Sequence, residues 1–313
     1  MFHRVLLFEK VIAPILLYAS EIWGAYTIIP SKSLLQDSIS GYFKFAIERF
    51  YGSFLKYCLG VHRKACNIAV FGELGSTPIS LKVMTMVCKN WFRIVNSEKN
   101  SLLSDTYLCN IEMAHGNQSV WVKSVKDILF ETGFQELWHN QGNRSGIFPS
   151  KIFKRKLQSK FERQWGNDIS EQNSDECKLR TYVKFKKQLK FEHYLDAVKN
   201  FQIRKNITRL RISAHNLYIE TGRHKRPYKT PVNQRTCITC NSIDDELHFM
   251  LDCDQFKVPR NIMLNKLEEI FIDVKKYSKT QLFGFIMGLQ DSELTKIVEK
   301  YIVKCIEIRG KSL

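Results

Sequence analysis

Four residues in the second half of the chain have the types and spacing of a metal site: Cys237, Cys240, His248 and Cys253, with two, seven and four residues between successive members. Thiolate and imidazole are ligands that zinc prefers. A two-residue gap lets a tight turn aim two thiolates at one ion while the later pair closes the tetrahedron from a short helix or hairpin. One such set completes a Cys3His shell around one Zn2+, and a shell with no open position is structural rather than catalytic. The alternative is a chance cysteine pair beside an unrelated core histidine, because His248 lies between Leu247 and Phe249. Asp244, Asp245, Glu246 and Asp252 fall inside the same stretch. They read as a solvated turn, with acceptors behind the metal ligands as the other option.

Just ahead of this cluster lies a run of cations. Arg223, His224, Lys225, Arg226, Lys229 and Arg235 surround Tyr228, with no acid between Thr221 and Thr236. Such a strand, fixed at one end by a folded metal site, suits phosphate neutralisation by its cations and stacking of Tyr228 on an unpaired base. A soluble surface loop is the plainer reading. On a helix expected from Ile203 to Glu220, helical spacing puts Arg204, Thr208, Arg211 and His215 on one flank and Lys205, Arg209 and Asn216 on the other. That face is a candidate to track a phosphate backbone. Polymerase, nuclease or phosphoryl-transfer chemistry would need paired carboxylates on a strand turn or a glycine loop with lysine. The sequence has neither, so no catalytic residue is expected and the chain does not read as an enzyme.

The composition agrees with a polyanionic partner. The 313 residues carry 48 Lys plus Arg against 31 Asp plus Glu, a net charge of +17, which favours RNA, DNA or an anionic membrane over small-molecule substrates. The surplus is concentrated: Lys151–Arg211 holds 17 basic and 7 acidic residues. Nine scattered cysteines fit a reducing, intracellular setting, nucleus or cytoplasm, better than a disulfide framework. The apolar start, Val5 to Ile29, is interrupted by Glu9, Lys10, Pro14 and Glu21. It reads as a buried helix rather than a signal or a membrane span.

The elements that must position these residues are mostly helical. Val5, Phe8, Ile12, Leu16, Ala19 and Trp23 form one apolar stripe, ended by Pro30; Leu35, Ile39, Phe43, Ile47, Phe50, Phe54 and Tyr57 form another, ended near Gly60. After the Gly72–Pro78 turn, Val83, Val87, Trp91 and Ile94 mark a third helix. Residues 110–150, punctuated by Gly116, Gly133, Gly142, Gly146 and Pro149, read as a junction with some short helix. A loop is expected over Gly166–Ser174, then a helix carrying Phe185, Leu189, Tyr194, Leu195 and Val198.

Several of these segments resemble one family. Ile15–Gly24 (ILLYASEIWG), Leu55–Val61 (LKYCLGV), Gly72–Gly75 (GELG), Arg209–His215 (RLRISAH), Ile219–Arg223 (IETGR) and Asp245–Cys253 (DELHFMLDC) look like the region downstream of the polymerase in non-LTR (LINE-type) retrotransposon reverse transcriptases. The resemblance runs from about Leu6 to Arg260. It implies a thumb-like helical segment, a linker, and a cysteine–histidine knuckle that grips template RNA or target DNA, with ligand duty on Cys237, Cys240, His248 and Cys253. Fingers, palm and an endonuclease signature are missing, so the resemblance implies a truncated reading frame or a fragment of a longer product. The expected fold is therefore mainly α, with helical bundle-like segments and a small CCHC zinc knuckle. The expected divisions are 1–110 thumb-like, 111–150 junction, 151–221 basic helical, 222–262 knuckle with its basic arm, and 263–313 helical tail. The expected function is zinc-dependent binding of RNA or DNA, with a protein-interaction module or a fragment without function as the alternatives.

Overall fold

The computed structural model describes residues 2–27, 39–115, 119–141, 146–174, 176–270 and 274–310. Pro30, Leu35, Gly116 and Gly142, named above as helix or turn residues, lie outside them. The described residues are mainly helical and include no strand, only the antiparallel bridges Leu74–Phe191 and Thr236–Ile243. No described helix is long and apolar enough to cross a membrane.

Two compact units are present. One comprises Leu6–Tyr51 and Thr77–Trp165, the other Met1–Val5, Gly52–Ser76 and Gly166–Leu313. The units interleave along the chain, whereas the sequence reading divides it into consecutive segments. They are called here the Trp91 unit and the Arg211 unit.

In the Trp91 unit, helix Ser20–Thr27 lies against helix Ser80–Val95. Gly24 permits this approach, because a Cβ there would sit 2.3 Å from Val83 Cγ1. The expected stripe Val83, Val87 and Trp91 is buried. Trp91 stacks on Trp138 with ring centroids 5.7 Å apart, and its indole N–H donates to the Tyr107 hydroxyl at 3.0 Å. Glu48 caps the same helix, accepting from the Ser80 N–H at 2.6 Å and from the Ser80 hydroxyl. Burial, only partly offset by those bonds from Ser80, pushes the Glu48 carboxyl up to about 7.

Two expected stripes are out of phase with the structure. A π-turn over Phe8–Ile12 and a left-handed Ala19 (φ 54°) re-phase the first, so that Ala13, Leu17 and Ala25 are buried while Leu7, Val11, Ile15, Tyr18, Ile22 and Tyr26 are exposed. The chain start is expected as a buried helix; Phe8 of its predicted stripe is buried, but much of its other apolar surface is exposed. Helix Ala46–Leu59 buries Glu48, Tyr51, Leu55 and Cys58, one position on from the predicted Ile47, Phe50, Phe54 and Tyr57. Phe50 and Tyr57 are consequently exposed. The junction expected over 110–150 is largely helix, with Leu102–His115, Val120–Glu131 and Gln135–His139.

The Arg211 unit is built on helices Asn67–Leu74, Phe201–Arg211, Lys257–Glu269, Lys279–Met287 and Ser292–Arg309. The last packs against both Phe201–Arg211 and Lys257–Glu269. Gly75, at φ +58°, brings the end of Asn67–Leu74 so close to the distant segment at Lys190 and Phe191 that a Cβ would lie 2.4 Å from the Phe191 nitrogen. Three sequence expectations change here. The helix expected from Ile203 to Glu220 ends at Arg211; Ser213 takes a left-handed φ of 51°, and a separate turn of helix follows at Tyr218–Thr221. Helix Ser150–Ser170 runs through the start of the predicted Gly166–Ser174 loop. The helix expected around Phe185–Val198 is two single turns, Tyr182–Phe185 and Tyr194–Ala197.

Candidate metal centre and nucleic-acid interface

The backbone around the first two cysteines folds into a tight hairpin. Asp244 N–H donates to Arg235 O at 2.9 Å, Cys237 N–H to Ser242 O at 2.7 Å, and Asn241 N–H to Cys237 O at 2.9 Å. Asn241 closes the turn at φ +59°, a conformation that asparagine tolerates. This turn aims Cys237 and Cys240 the same way. A short π-turn, His248–Asp252, supplies the other side, and Cys253 N–H donates back to His248 O at 2.8 Å. Ligand atoms of Cys237, Cys240, His248 and Cys253 all lie within 4.8 Å of one another, so the four can hold one metal ion.

Several observations test that fit. The sulfurs of Cys237 and Cys253 are 3.9 Å apart, and those of Cys240 and Cys253 are 3.7 Å apart. Both separations are far longer than the roughly 2.05 Å of a disulfide. His248 Nε2 is buried with no hydrogen-bond partner, a costly state for an imidazole nitrogen unless a metal accepts its lone pair. Backbone N–H groups support the sulfurs: Asp254 N lies 3.2 Å from Cys240 Sγ. Burial and the neighbouring Cys240 and Cys237 push the Cys253 thiol up to about 12, while backbone N–H bonds from Cys240 and Thr239, with Cys253, outweigh burial and hold Cys237 below the usual thiol range. A bound metal ion supplies the positive charge that adjacent thiolate ligands need.

The acids near the cluster are not a solvated turn, with the exception of Asp252, which pairs with exposed Lys279 at 2.5 Å. Asp244 is buried and accepts from Tyr218 N–H at 2.7 Å. Asp245 accepts from the His248 N–H at 2.8 Å and so sets that ligand's backbone. Glu246 is fully buried, taking hydrogen bonds from Arg180 Nη2 (2.6 Å), Ser213 Oγ (2.6 Å) and the His215 ring (2.9 Å). Burial alone would raise the Glu246 carboxyl, but His215, Arg180 and Ser213 together hold it at about 2. Arg180 also pairs with Glu220 at 3.1 Å, and Arg223 joins that carboxylate at 3.0 Å.

A second buried network lies in the same unit. Arg211 donates to both Glu73 oxygens at 2.8 and 3.0 Å, to Glu192 at 2.6 Å, and to the Met287 carbonyl. Lys186 pairs with the other Glu192 oxygen, and the Tyr194 hydroxyl donates to Glu73 at 2.6 Å. These partners come from far apart in the chain, and nothing in the local sequence marked Arg180, Lys186 or Glu192 as their companions.

The structure therefore divides the predicted interface residues. Arg211 and His215 are saturated inside the fold and cannot track a phosphate backbone. Arg204 is buried, donating to Val198 O at 2.8 Å and stacking on Phe201. Arg223 is held by Glu220 and by the carbonyls of Glu176 and Cys177. Arg235 is buried; its Nε donates to Thr230 O at 2.9 Å and its Nη1 to Ile219 O at 2.8 Å. Lys205 and Arg209 remain half-buried, whereas Lys225, Arg226, Tyr228 and Lys229 are exposed. Those four ride on a loop closed by Thr230 N–H donating to Gly222 O at 3.1 Å. Arg235 clamps the loop's base two residues before the first cysteine of the cluster.

Comparison with known proteins adds no relative: no family model matches the chain, and no match was found among curated proteins or among solved structures.

Proposed function

We propose that this chain binds RNA or DNA through phosphates, with one structural zinc ion held by Cys237, Cys240, His248 and Cys253. The observation that carries the reading is the closed cationic loop Lys225–Lys229, exposed around Tyr228 and pinned at its base beside a four-ligand cluster. Zinc is favoured over harder ions by the three soft thiolates. Around zinc, bonds of about 2.3 Å place tetrahedral sulfurs about 3.8 Å apart, close to the separations of 3.9 and 3.7 Å seen here. With four protein ligands the ion has no open position, so its contribution is to rigidity, and the reading assigns the chain no catalytic step.

The reading includes descent from a non-LTR reverse transcriptase. Its support is that GELG, RLRISAH, IETGR and DELHFMLDC all fall in the Arg211 unit, where their Glu73, Arg211, His215, Glu220, Arg223 and Glu246 build the two ion networks. The segments behind the resemblance thus act as framework, and the phosphate-binding role falls to less distinctive residues beside them. A second reading, docking on a protein, draws on the exposed Leu7, Val11, Ile15, Tyr18, Ile22 and Tyr26.

Metal analysis combined with filter binding to a single-stranded RNA tests the proposal. Purified protein is expected to carry one zinc per chain, and His248→Ala or Cys237→Ser to lose it and to bind RNA more weakly. Stoichiometric zinc persisting in both variants rejects the ligand assignment. Wild-type protein that ignores RNA leaves the protein-docking reading in its place.

A further inference from the structure

The buried cations of the Arg211 unit described above are matched by carboxylates or carbonyl oxygens. A second group of cations is half-buried or exposed. Helix Ala46–Leu59 carries Lys56 in its last turn and stops at Gly60, whose φ of +70° lets the chain turn sharply onto helix Phe201–Arg211. A Cβ at Gly60 would lie 2.9 Å from Phe201 Cζ and 3.1 Å from Lys205 Cγ, so the approach is close. The loop that follows is held over Lys56, whose ammonium donates to Arg63 O at 2.8 Å. Lys64 N–H donates to His62 Nδ1 at 3.0 Å, which leaves Nε2 as the ring's outward nitrogen. Arg209 stands one helical turn beyond Lys205, on the same flank.

From the other direction, Arg223 donates to the carbonyls of Glu176 at 2.8 Å and Cys177 at 3.2 Å. That tie joins the chain neighbours of His224 and Lys178. The result is a convergence of four chain segments on His62: after burial itself, the largest influences on its imidazole are Lys178, Arg209, Lys56 and His224, and all four oppose its protonation. Lys56 is likewise held below the usual lysine range, by burial first and with Lys178 adding to it. Like charges brought together in this way repel one another, and a bound polyanion relieves that repulsion.

Resting on the nucleic-acid reading above, we infer that Lys56, His62, Lys178, Arg209 and His224 form a centre that binds consecutive phosphates of a nucleic-acid backbone. The donor set is ammonium, guanidinium and imidazole without an acceptor, which suits phosphate oxygens rather than bases or sugars. Several cations spread over separate segments suit a chain of phosphates better than a single one. Tyr57, exposed on the helix beside Lys56, is placed to stack on a base carried by that backbone. Sequence reading selected Arg209 and placed His224 in the cationic run, but Lys56, His62 and Lys178 lie far from both in the sequence and meet them only through the fold.

The test uses full-length, metal-loaded protein and two probes, a 12-nucleotide single-stranded RNA and inorganic tripolyphosphate, which has no bases. Tripolyphosphate is expected to shift the ring resonances of His62 and His224, assigned through His62→Gln and His224→Gln. The Lys56→Gln/Lys178→Gln protein, or Lys178→Gln alone if the pair destabilises the fold, should lose that shift and about tenfold in RNA affinity. The Lys151→Gln/Lys154→Gln control removes equal charge from exposed positions outside the centre and should lose much less. Equal losses in the two double variants, or histidines unmoved by tripolyphosphate, overturn the centre. Histidines that respond to tripolyphosphate in a protein that binds no RNA support the centre and reject the nucleic-acid reading.

Discussion

Arg204, Arg211 and His215 look like the cations from Lys225 to Lys229 in sequence, yet the first three are buried and the others exposed. Arg211 gives its donors to Glu73, Glu192 and Met287, and His215 gives its ring to Glu246. Lys225, Arg226 and Lys229 are exposed on a pinned loop. A buried guanidinium among carboxylates holds distant segments in register, and removing it leaves charges stranded away from water. An exposed ammonium contributes little to stability but can still release a counterion when a phosphate arrives. The number of basic residues is thus a poor guide to an interface, and their burial and partners are a better one.

The sharpest way to break this comparison is Arg211→Met. It takes Glu73 from its ion-pair partner and leaves Glu192 with Lys186 alone, and the expected loss is about 3–5 kcal/mol in urea unfolding. A change below about 1 kcal/mol would place Arg211 with the surface cations instead.

Acid sharpens the contrast at the second network. Glu246 is held at about 2 in the fold against about 4.3 unfolded, so its folded value is depressed. Its contribution is therefore complete above about pH 4.3 and is lost as pH falls towards 2. The difference corresponds to about 3 kcal/mol. Glu48, raised by burial to about 7, has the opposite sign: its share of stability is present below about 4.3 and is lost as pH rises to 7. Glu246→Gln should flatten the acid limb of stability measured by denaturant between pH 5 and 2. An unchanged limb in that variant would remove Glu246 from the framework.

What could be read in the sequence follows from range. Cys237, Cys240, His248 and Cys253 lie within seventeen residues, so a turn and a short helix suffice to gather them, and spacing reveals the set. The mainly helical character was equally legible from apolar periodicity. Phase was not. A π-turn at Phe8–Ile12 and a one-position offset in Ala46–Leu59 decide which faces are buried, and both depend on what packs against those helices. The ion networks were illegible for a related reason: Glu73 and Arg211 stand 138 residues apart, and no local pattern links them. Asp244 and Glu246 looked like part of a polar turn because sequence shows charge without showing burial.

The smallest effect on stability is expected at the loop, and it is also where the central claim is most exposed. The measurement is the salt dependence of single-stranded RNA affinity for wild-type protein and for Lys225→Gln/Arg226→Gln/Lys229→Gln, both metal-loaded. Unfolding stability should differ by no more than about 0.5 kcal/mol. The wild-type plot of log affinity against log salt should be steep, and the triple variant should lose about 2 from its slope, near 0.7 for each phosphate contact removed. A wild-type slope near zero, or a slope the triple substitution leaves unchanged, would contradict phosphate binding by this loop.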